Sequence, residues 1–471
     1  MKKLFKYLLI FSSILICCIM LMAFVALIPQ SSIQRNSEKS ALYLYEEELF
    51  HPLVNGEKLT TIDNYADTIL LNIVYNLDEK QPLRSVFSAS YYNEDWLNVN
   101  EGYKMAVSEN KEPNISYSRY WHGNMIFLKP LLIFLDIQGI RIFNAIVLAA
   151  LMSCLGISLF RRKQKILLSA MVIGLFSIGI FFVPLCIEYT ATFIIMVAAC
   201  LLAIHMEDKG DEKLLPIFFI TGMLTCFFDF LTTETITFTM PLVMVLCLRY
   251  KPVVTISING SNKNRNKINQ VNQESNIGIG KAIKTKTFIR KEDVHIKEAL
   301  NFSVKAGVLW IIAYVLMWLA KWSLSSIILK INAFEAALKQ AEVRTIGNAA
   351  GSLLDQYTGA VFRNIALLFP LNFGKTYGEV ILIFFGVVFL MLCVWFLYRK
   401  NKVEDGWLLK LLMLIGVIPY IRYIVLSNHS YLHYFFTYRA QLVTITILFY
   451  VIFTSIDKKL IYKEFCKNKN Q

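Results

Sequence analysis

The chain has 471 residues, 56% of them hydrophobic and 17% charged, whereas soluble domains run to roughly 25% charged. Mean hydropathy is +0.50, and apolar runs of about 17–22 residues recur, the length that crosses a ~30 Å hydrocarbon core as a helix. A soluble enzyme, a secreted disulfide scaffold and a β-barrel are excluded, since barrel strands would read as alternating segments of about ten residues.

The fold class expected is an all-α polytopic membrane protein with about ten transmembrane helices. In chain order, Lys2, Lys3 and Lys6 precede an apolar run over 7–28. That run exceeds the roughly 7–15 apolar residues of a cleaved signal peptide, so 1–29 reads as a retained N-terminal transmembrane helix. Residues 30–138 hold no spanning-length run and read as a large, mostly helical extracytoplasmic loop, with amphipathic stretches at 42–50 and 66–75. Spans at 139–160, 166–184, 189–205, 214–231 and 235–249 form helices 2–6 of a 139–249 block. A basic cytoplasmic loop follows at 250–305; its 252–293 stretch is rich in Asn, Lys, Ser and Ile and poor in aromatics, the composition of a flexible connector. Helices 7–10, at 306–326, 378–398, 408–427 and 440–456, make up 306–456, with an outer segment at 330–377 too polar to cross and suited to lie along the interface. A basic cytoplasmic tail occupies 457–471.

Basic residues support this order. Arg161, Arg162, Lys163 and Lys165, then Lys209 and Lys213, then twelve Lys or Arg over 249–305, then Arg399, Lys400 and Lys402, and finally the tail lysines all fall on one side if both termini are cytoplasmic. The formal charge of +14 is therefore a topology signal, and no nucleic-acid partner is expected. The nine cysteines lie in or beside apolar runs or in the tail, with no C-x-x-C spacing, so neither disulfides nor a zinc site is implied.

Candidate chemistry concentrates on the outward side. In TTIDNYADTILLN, Asp63 and Asp67 are four apart, so a helix would place both carboxylates on one face, with Leu70, Leu71, Ile73 and Val74 forming an apolar side able to lie on the bilayer. The alternative is an Asp N-cap plus a first-turn acid. Glu46, Glu47 and Glu48 read as a solvated face. In YSRYWHGNMIFLKPLL, Arg119 and His122 stand among Tyr117, Tyr120 and Trp121, either as an aromatic belt or as a cation and an imidazole beside a lipid-borne head group. SNHSYLHYFFTYR repeats that chemistry. His429 and His433 have a helical metal-binding spacing, but no local carboxylate completes a site, so no metal and no cofactor are expected. Arg439 opens the last span, and Arg422 inside the preceding one calls for a partner or for snorkelling. Asp229 and Glu234 flank the outer end of one span and Glu188 the turn before another; Asp229, within CFFDFLTTE, is the least comfortable as a loop residue. No phosphate-loop, GxGxxG, HExxH or GxSxG motif occurs. An outward-facing polar groove unites these residues.

The layout, with an acid in a large first outer loop and basic residues in later ones, resembles the GT-C class of membrane glycosyltransferases, which use polyprenyl- or dolichyl-phosphate sugars. The resemblance implies a multi-pass protein of the cell envelope with a catalytic carboxylate at Asp67, or Asp63, and His122 nearby. Arg119, Asp229, His429, His433 and Arg439 would then bind substrate or lipid phosphate. Its partners would be membrane lipid and a polyprenyl-phosphate-linked sugar, and its acceptor a component of the cell envelope; no protein partner is named. YSRYWHGNMIFLKPLL, FFDFLTTE and LSNHSYLHYFFTYR are also similar to segments of multi-pass membrane proteins of low-GC Gram-positive bacteria, which implies a bacterial plasma membrane. Asp67 would act as general base toward an acceptor hydroxyl, with polyprenyl phosphate leaving against Arg439 or Arg119. The alternatives are a flippase or transporter for lipid-linked oligosaccharide, and a polysaccharide polymerase or ligase.

Overall fold

A computed structural model describes residues 2–250, 291–347, 349–369, 386–388, 391 and 406–456. The tail 457–471 and nearly all of the expected span 378–398 lie outside the described residues. So does the 251–290 part of the basic loop.

The described chain is helical apart from one two-stranded hairpin. Six helices are long and apolar enough to cross a membrane: Leu4–Ala26, Ile137–Arg161, Ile187–Lys209, His295–Leu329, Gly406–Val425 and Tyr434–Ser455. They match six of the ten expected spans. The first, within α1 (Lys2–Ala26), leaves Leu4, Phe5, Leu8 and Phe24 exposed, a face suited to lipid. Where 166–184 was expected to cross, the helix Lys165–Ser177 stops after 13 residues, about 20 Å at 1.5 Å per residue. Gly179 takes the left-handed conformation there (φ 64°) and Pro184 sits in the 3₁₀ turn that follows. Two further expected spans are also modest: Ile236–Arg249 has 14 residues, and Asp211–Phe228 begins with Asp211, Glu212 and Lys213.

After α1 the chain builds a cap over one end of the bundle. It comprises α2 (Gln30–Glu46), a hairpin of β1 (Phe50–Pro52) and β2 (Thr61–Asp63) with Phe50 opposite Asp63, α3 (Asn64–Tyr75), α4 (Pro82–Ser88), α5 (Val99–Glu109) and α6 (Met125–Leu132). α3 packs between α2 and α5, and Leu70, Leu71, Ile73 and Val74 are all buried. The apolar side expected to lie on the bilayer therefore faces protein; the helix is buried nearly all round, its polar Asn64, Asp67, Thr68 and Asn72 included. Lysines seat the cap. Lys129 Nζ reaches Ala26 O (3.3 Å) at the end of α1, and Lys321 Nζ reaches Phe87 O (3.1 Å) in the last turn of α4. Both place a cation at the negative end of a helix.

α7 (Ile137–Arg161) returns through the bundle; its N-cap Asp136 accepts from Gly139 N at 3.0 Å. α8 (Lys165–Ser177), α9 (Ile187–Met206), α10 (Asp211–Phe228) and α11 (Ile236–Arg249) follow antiparallel, and ion pairs Arg162–Glu207 (3.4 Å) and Arg249–Asp211 (2.7 Å) tie the far end. α12 (Lys291–Leu329) runs 39 residues. It takes in 291–305, expected to be flexible connector, because Ala299, Phe302 and Ala306 form a buried stripe at helical spacing. α13 (Ala333–Ile346) and α14 (Leu353–Ala366) complete the cap end. α13 ends before Gly347, where Asn428 bridges Val343 O (2.7 Å) and Ala349 N (3.0 Å). The 427–439 segment folds as short helices beneath α13 and α14.

Candidate functional site

A cavity of about 330 Å³ opens at the cap end, between the cap, the start of α9 and the 427–439 segment. Asp63, Glu188, Arg119, Arg344, His122, His429 and His433 line it, with Phe50, Tyr65, Tyr117, Tyr120, Phe230 and Phe436 supplying rings.

The two acids of the first loop part company here. Asp63 N-caps α3: its carboxylate accepts from Ala66 N at 2.9 Å and from the Tyr189 hydroxyl at 3.3 Å. Burial pushes its carboxyl up to about 7, against the pull of the Ala66 N–H. Asp67, one turn on, does not line the cavity. It is fully buried and accepts from Arg141 (2.9 Å) and Ile187 N (2.8 Å). Burial raises its pKa and Arg141 opposes the shift. The N-cap and first-turn account thus describes both residues, and Asp63 alone borders the open space.

Glu188 stands in the first turn of α9. It is 8% exposed and lines the cavity, and among the described residues its carboxylate accepts no hydrogen bond and forms no ion pair.

Each histidine holds a defined role. His122 has φ 54°, and its Nε2 lies 3.0 Å from Tyr117 O. A carbonyl only accepts, so Nε2 carries the proton. Burial, then Lys321, lowers its pKa to about 3, leaving a neutral ring. His429 Nδ1 accepts from Arg344 Nη1 at 2.8 Å while Nε2–H faces Leu231 O at 2.9 Å, since arginine can only donate. Burial, then His433, holds its pKa well below the ordinary value. His429 therefore holds Arg344, and no cluster of three metal-ligating side chains occurs among the described residues. His433 stacks on Phe436 (ring centroids 5.2 Å apart), and burial, then Arg344, lowers it to about 4.

Two arginines flank Tyr120. The Arg119 guanidinium lies 5.4 Å and the Arg344 guanidinium 5.6 Å from its ring centroid, and Arg119 also covers Tyr117 at 4.1 Å. Arg119, Tyr120 and Arg344 also border a second hollow of about 270 Å³. Its other walls are almost wholly apolar: Tyr314, Trp318, Leu319 and Trp322 of α12, Ala337 and Ala341 of α13, and Leu231. The polar cavity and the apolar groove meet at these arginines.

Other expected site residues lie elsewhere. Asp229 is buried beside the site, accepting from Thr192 Oγ1 (2.7 Å), Thr232 N (3.1 Å) and the Thr232 hydroxyl; burial, then Glu234, pushes it up to about 6. Arg422 has its partner in Glu234 (2.9 Å) and also donates to Ser430 and Leu231 O. Arg439 is fully buried between the Tyr189 and Tyr438 rings, each 5.0 Å away, and lines neither hollow. Arg344 was not foreseen: beside Glu342 and Lys339 on a polar helix it reads as solvated surface. Glu188 was noticed only as a turn residue.

Compared with known protein families, curated proteins and solved structures, the chain matches none.

Proposed function

We propose that the protein is a membrane transferase that takes a sugar from a polyprenyl-phosphate carrier and passes it to a cell-envelope acceptor, a GT-C-like activity at the extracytoplasmic face of a bacterial plasma membrane with both termini cytoplasmic. One observation carries this reading: a polar cavity bearing carboxylates and neutral imidazoles and an apolar groove share a wall at Arg119, Tyr120 and Arg344. An amphiphile with a phosphate between its head and its tail fits that arrangement. The prenyl chain lies against Trp318 and Trp322, the phosphate against the two guanidinium groups through charge-assisted hydrogen bonds, and the sugar among Asp63, Glu188 and His122. The same arginines then stabilise the charge that develops on the departing phosphate. The general base belongs to a carboxylate of the cavity rather than to Asp67, whose oxygens are engaged by Arg141 and Ile187 N.

Binding of farnesyl phosphate to the purified protein in lipid nanodiscs tests this. Arg119→Ala and Arg344→Ala should each weaken it about 10–100-fold, the loss of one hydrogen bond to a charged group at ~1.5–3 kcal/mol. Arg439→Lys, at a residue that lines neither hollow, should leave it unchanged. Equal affinity in all four proteins would refute the reading.

A further inference from the structure

We infer that Glu188 is the catalytic base of this site, an assignment that rests on the transferase reading above. Every other acid near the cavity is engaged. The Asp63 oxygens accept from Ala66 N and Tyr189, Asp67 is held by Arg141 and Ile187 N, Asp229 by Thr192 and Thr232, and Glu234 by Arg422. Glu188 alone among them has no such partner, although it is more than nine-tenths buried and lines the cavity. Its oxygens open onto the cavity rather than onto protein donors, so what occupies the cavity supplies their hydrogen bonds.

The backbone around Glu188 is held firmly. Ile187 N donates to Asp67 and Cys186 Sγ accepts from Asp63 N at 3.3 Å, so the first turn of α9 is pinned to the start of α3. That anchors the Glu188 stem in the cavity wall rather than leaving it on a free loop. Of the imidazoles, His433 is the rival, because its ring also lacks a hydrogen-bond partner among the described residues. Taking up a proton would add a positive charge there beside Arg344 and Arg422, both of which already hold its pKa down. Protonation of Glu188 instead removes a charge from a buried site.

In the step, the acceptor O–H bond breaks and its proton passes to the Glu188 carboxylate. The acceptor oxygen bonds to the anomeric carbon as the bond from that carbon to the phosphate oxygen breaks. The electron pair leaves on the prenyl phosphate, held by Arg119 and Arg344. Water can serve as the acceptor in the same way.

The test uses the full chain in nanodiscs with farnesyl-phosphoryl glucose, galactose, mannose and N-acetylglucosamine, and follows release of farnesyl phosphate into water. The wild type should turn over at least one of them. Glu188→Gln should be about 10²–10⁴-fold slower, the usual contribution of a positioned general base, and should bind farnesyl phosphate as the wild type does. Its residual rate should no longer fall on the acid side of the pH profile. A Glu188→Gln rate near wild type overturns the assignment. So does joint loss of turnover and farnesyl phosphate binding, which would mark Glu188 as structural. Wild type that binds farnesyl phosphate but releases none from any donor overturns the base while leaving the lipid-phosphate site standing. Failure to bind farnesyl phosphate at all overturns both.

Discussion

Asp67 and Arg141 should behave as a buried structural pair, and the prediction can be worked from their surroundings. The two side chains are 0% and 6% exposed, and Arg141 Nη2 donates to Asp67 Oδ2 at 2.9 Å and to Asn64 Oδ1 at 2.8 Å. Asp67→Leu leaves a buried guanidinium without its counter-charge, at a cost of about 3–5 kcal/mol, and orphans Ile187 N–H as well. Arg141→Met should cost less. Asp67 can take up a proton when its partner is removed, since burial already raises its pKa, whereas arginine cannot shed one. The double variant Asp67→Leu/Arg141→Met should recover most of the loss, because a well-packed apolar replacement of a buried pair is often neutral or better. Unfolding of the four proteins in one detergent gives the cycle, and the coupling should lie well above the ~0.3–0.5 kcal/mol of independent sites. Single losses each below ~1 kcal/mol, adding without coupling, are what a surface pair delivers and would refute the reasoning.

Two further expectations concern packing and pH. A Cβ on Gly222 would stand 2.4 Å from the Trp310 carbonyl oxygen of α12, whereas one on Gly156 meets nothing closer than 3.8 Å. Gly222→Ala should therefore destabilise by about 1–3 kcal/mol by forcing α10 from α12, and Gly156→Ala should stabilise by up to ~1 kcal/mol; thermal unfolding of both variants decides. His433 titrates at about 4 when folded, against 6.5 for a solvated imidazole. The unfolded chain then binds the extra proton between those values, and stability is lost as pH falls through that window. Relative to His433→Phe, which keeps the ring on Phe436, the wild type should lose up to about 1.4 kcal/mol per pH unit across that window; parallel curves would show that His433 does not titrate there.

Apolar runs carried the bundle's outline because lipid-length helices must satisfy their own backbone and so advertise themselves in hydropathy. They failed where local backbone chemistry intervened. Gly179 and Pro184 ended α8 early, and the stripe Ala299, Phe302 and Ala306 extended α12 into a segment whose composition read as linker. At the site, aromatic-rich segments around Arg119, His122, His429 and His433 were legible because titratable groups at a membrane edge are few. Helical spacing could pair Asp63 with Asp67, but it could not say that Arg141, 74 residues further on, would claim Asp67. Nor does any local pattern mark Arg344, whose meaning comes from His429, 85 residues away. Long-range pairing decides which acid stays free, and it is not periodic.

Two of the six non-glycine residues in the left-handed region among the described residues stand where these long-range pairings converge. His122 and Leu231 are both non-glycine residues in the left-handed region, at φ 54° and 67°, a conformation that costs of the order of 1–3 kcal/mol and persists only where its surroundings over-determine it. The surroundings here are specific. Gly123 N donates to Phe227 O at 3.0 Å, and a Cβ at Gly123 would lie 2.4 Å from the Phe227 ring, so the last turn of the cap is pressed against the end of α10. Leu231 O accepts from both His429 and Arg422, which ties the turn after α10 to the 427–439 segment and to the helix Ile418–Val425 before it. His122 forms part of the polar cavity and Leu231 part of the apolar groove. A bundle needing only to bury its helices could have relaxed both turns with glycine. Three segments remote in sequence meet at this wall between the two hollows, where the Arg119 and Arg344 guanidinium groups lie 5.4 and 5.6 Å from the Tyr120 ring centroid. These two left-handed residues thus stand where the cap, the α10–α11 turn and the C-terminal segment meet, at the wall that the two hollows share.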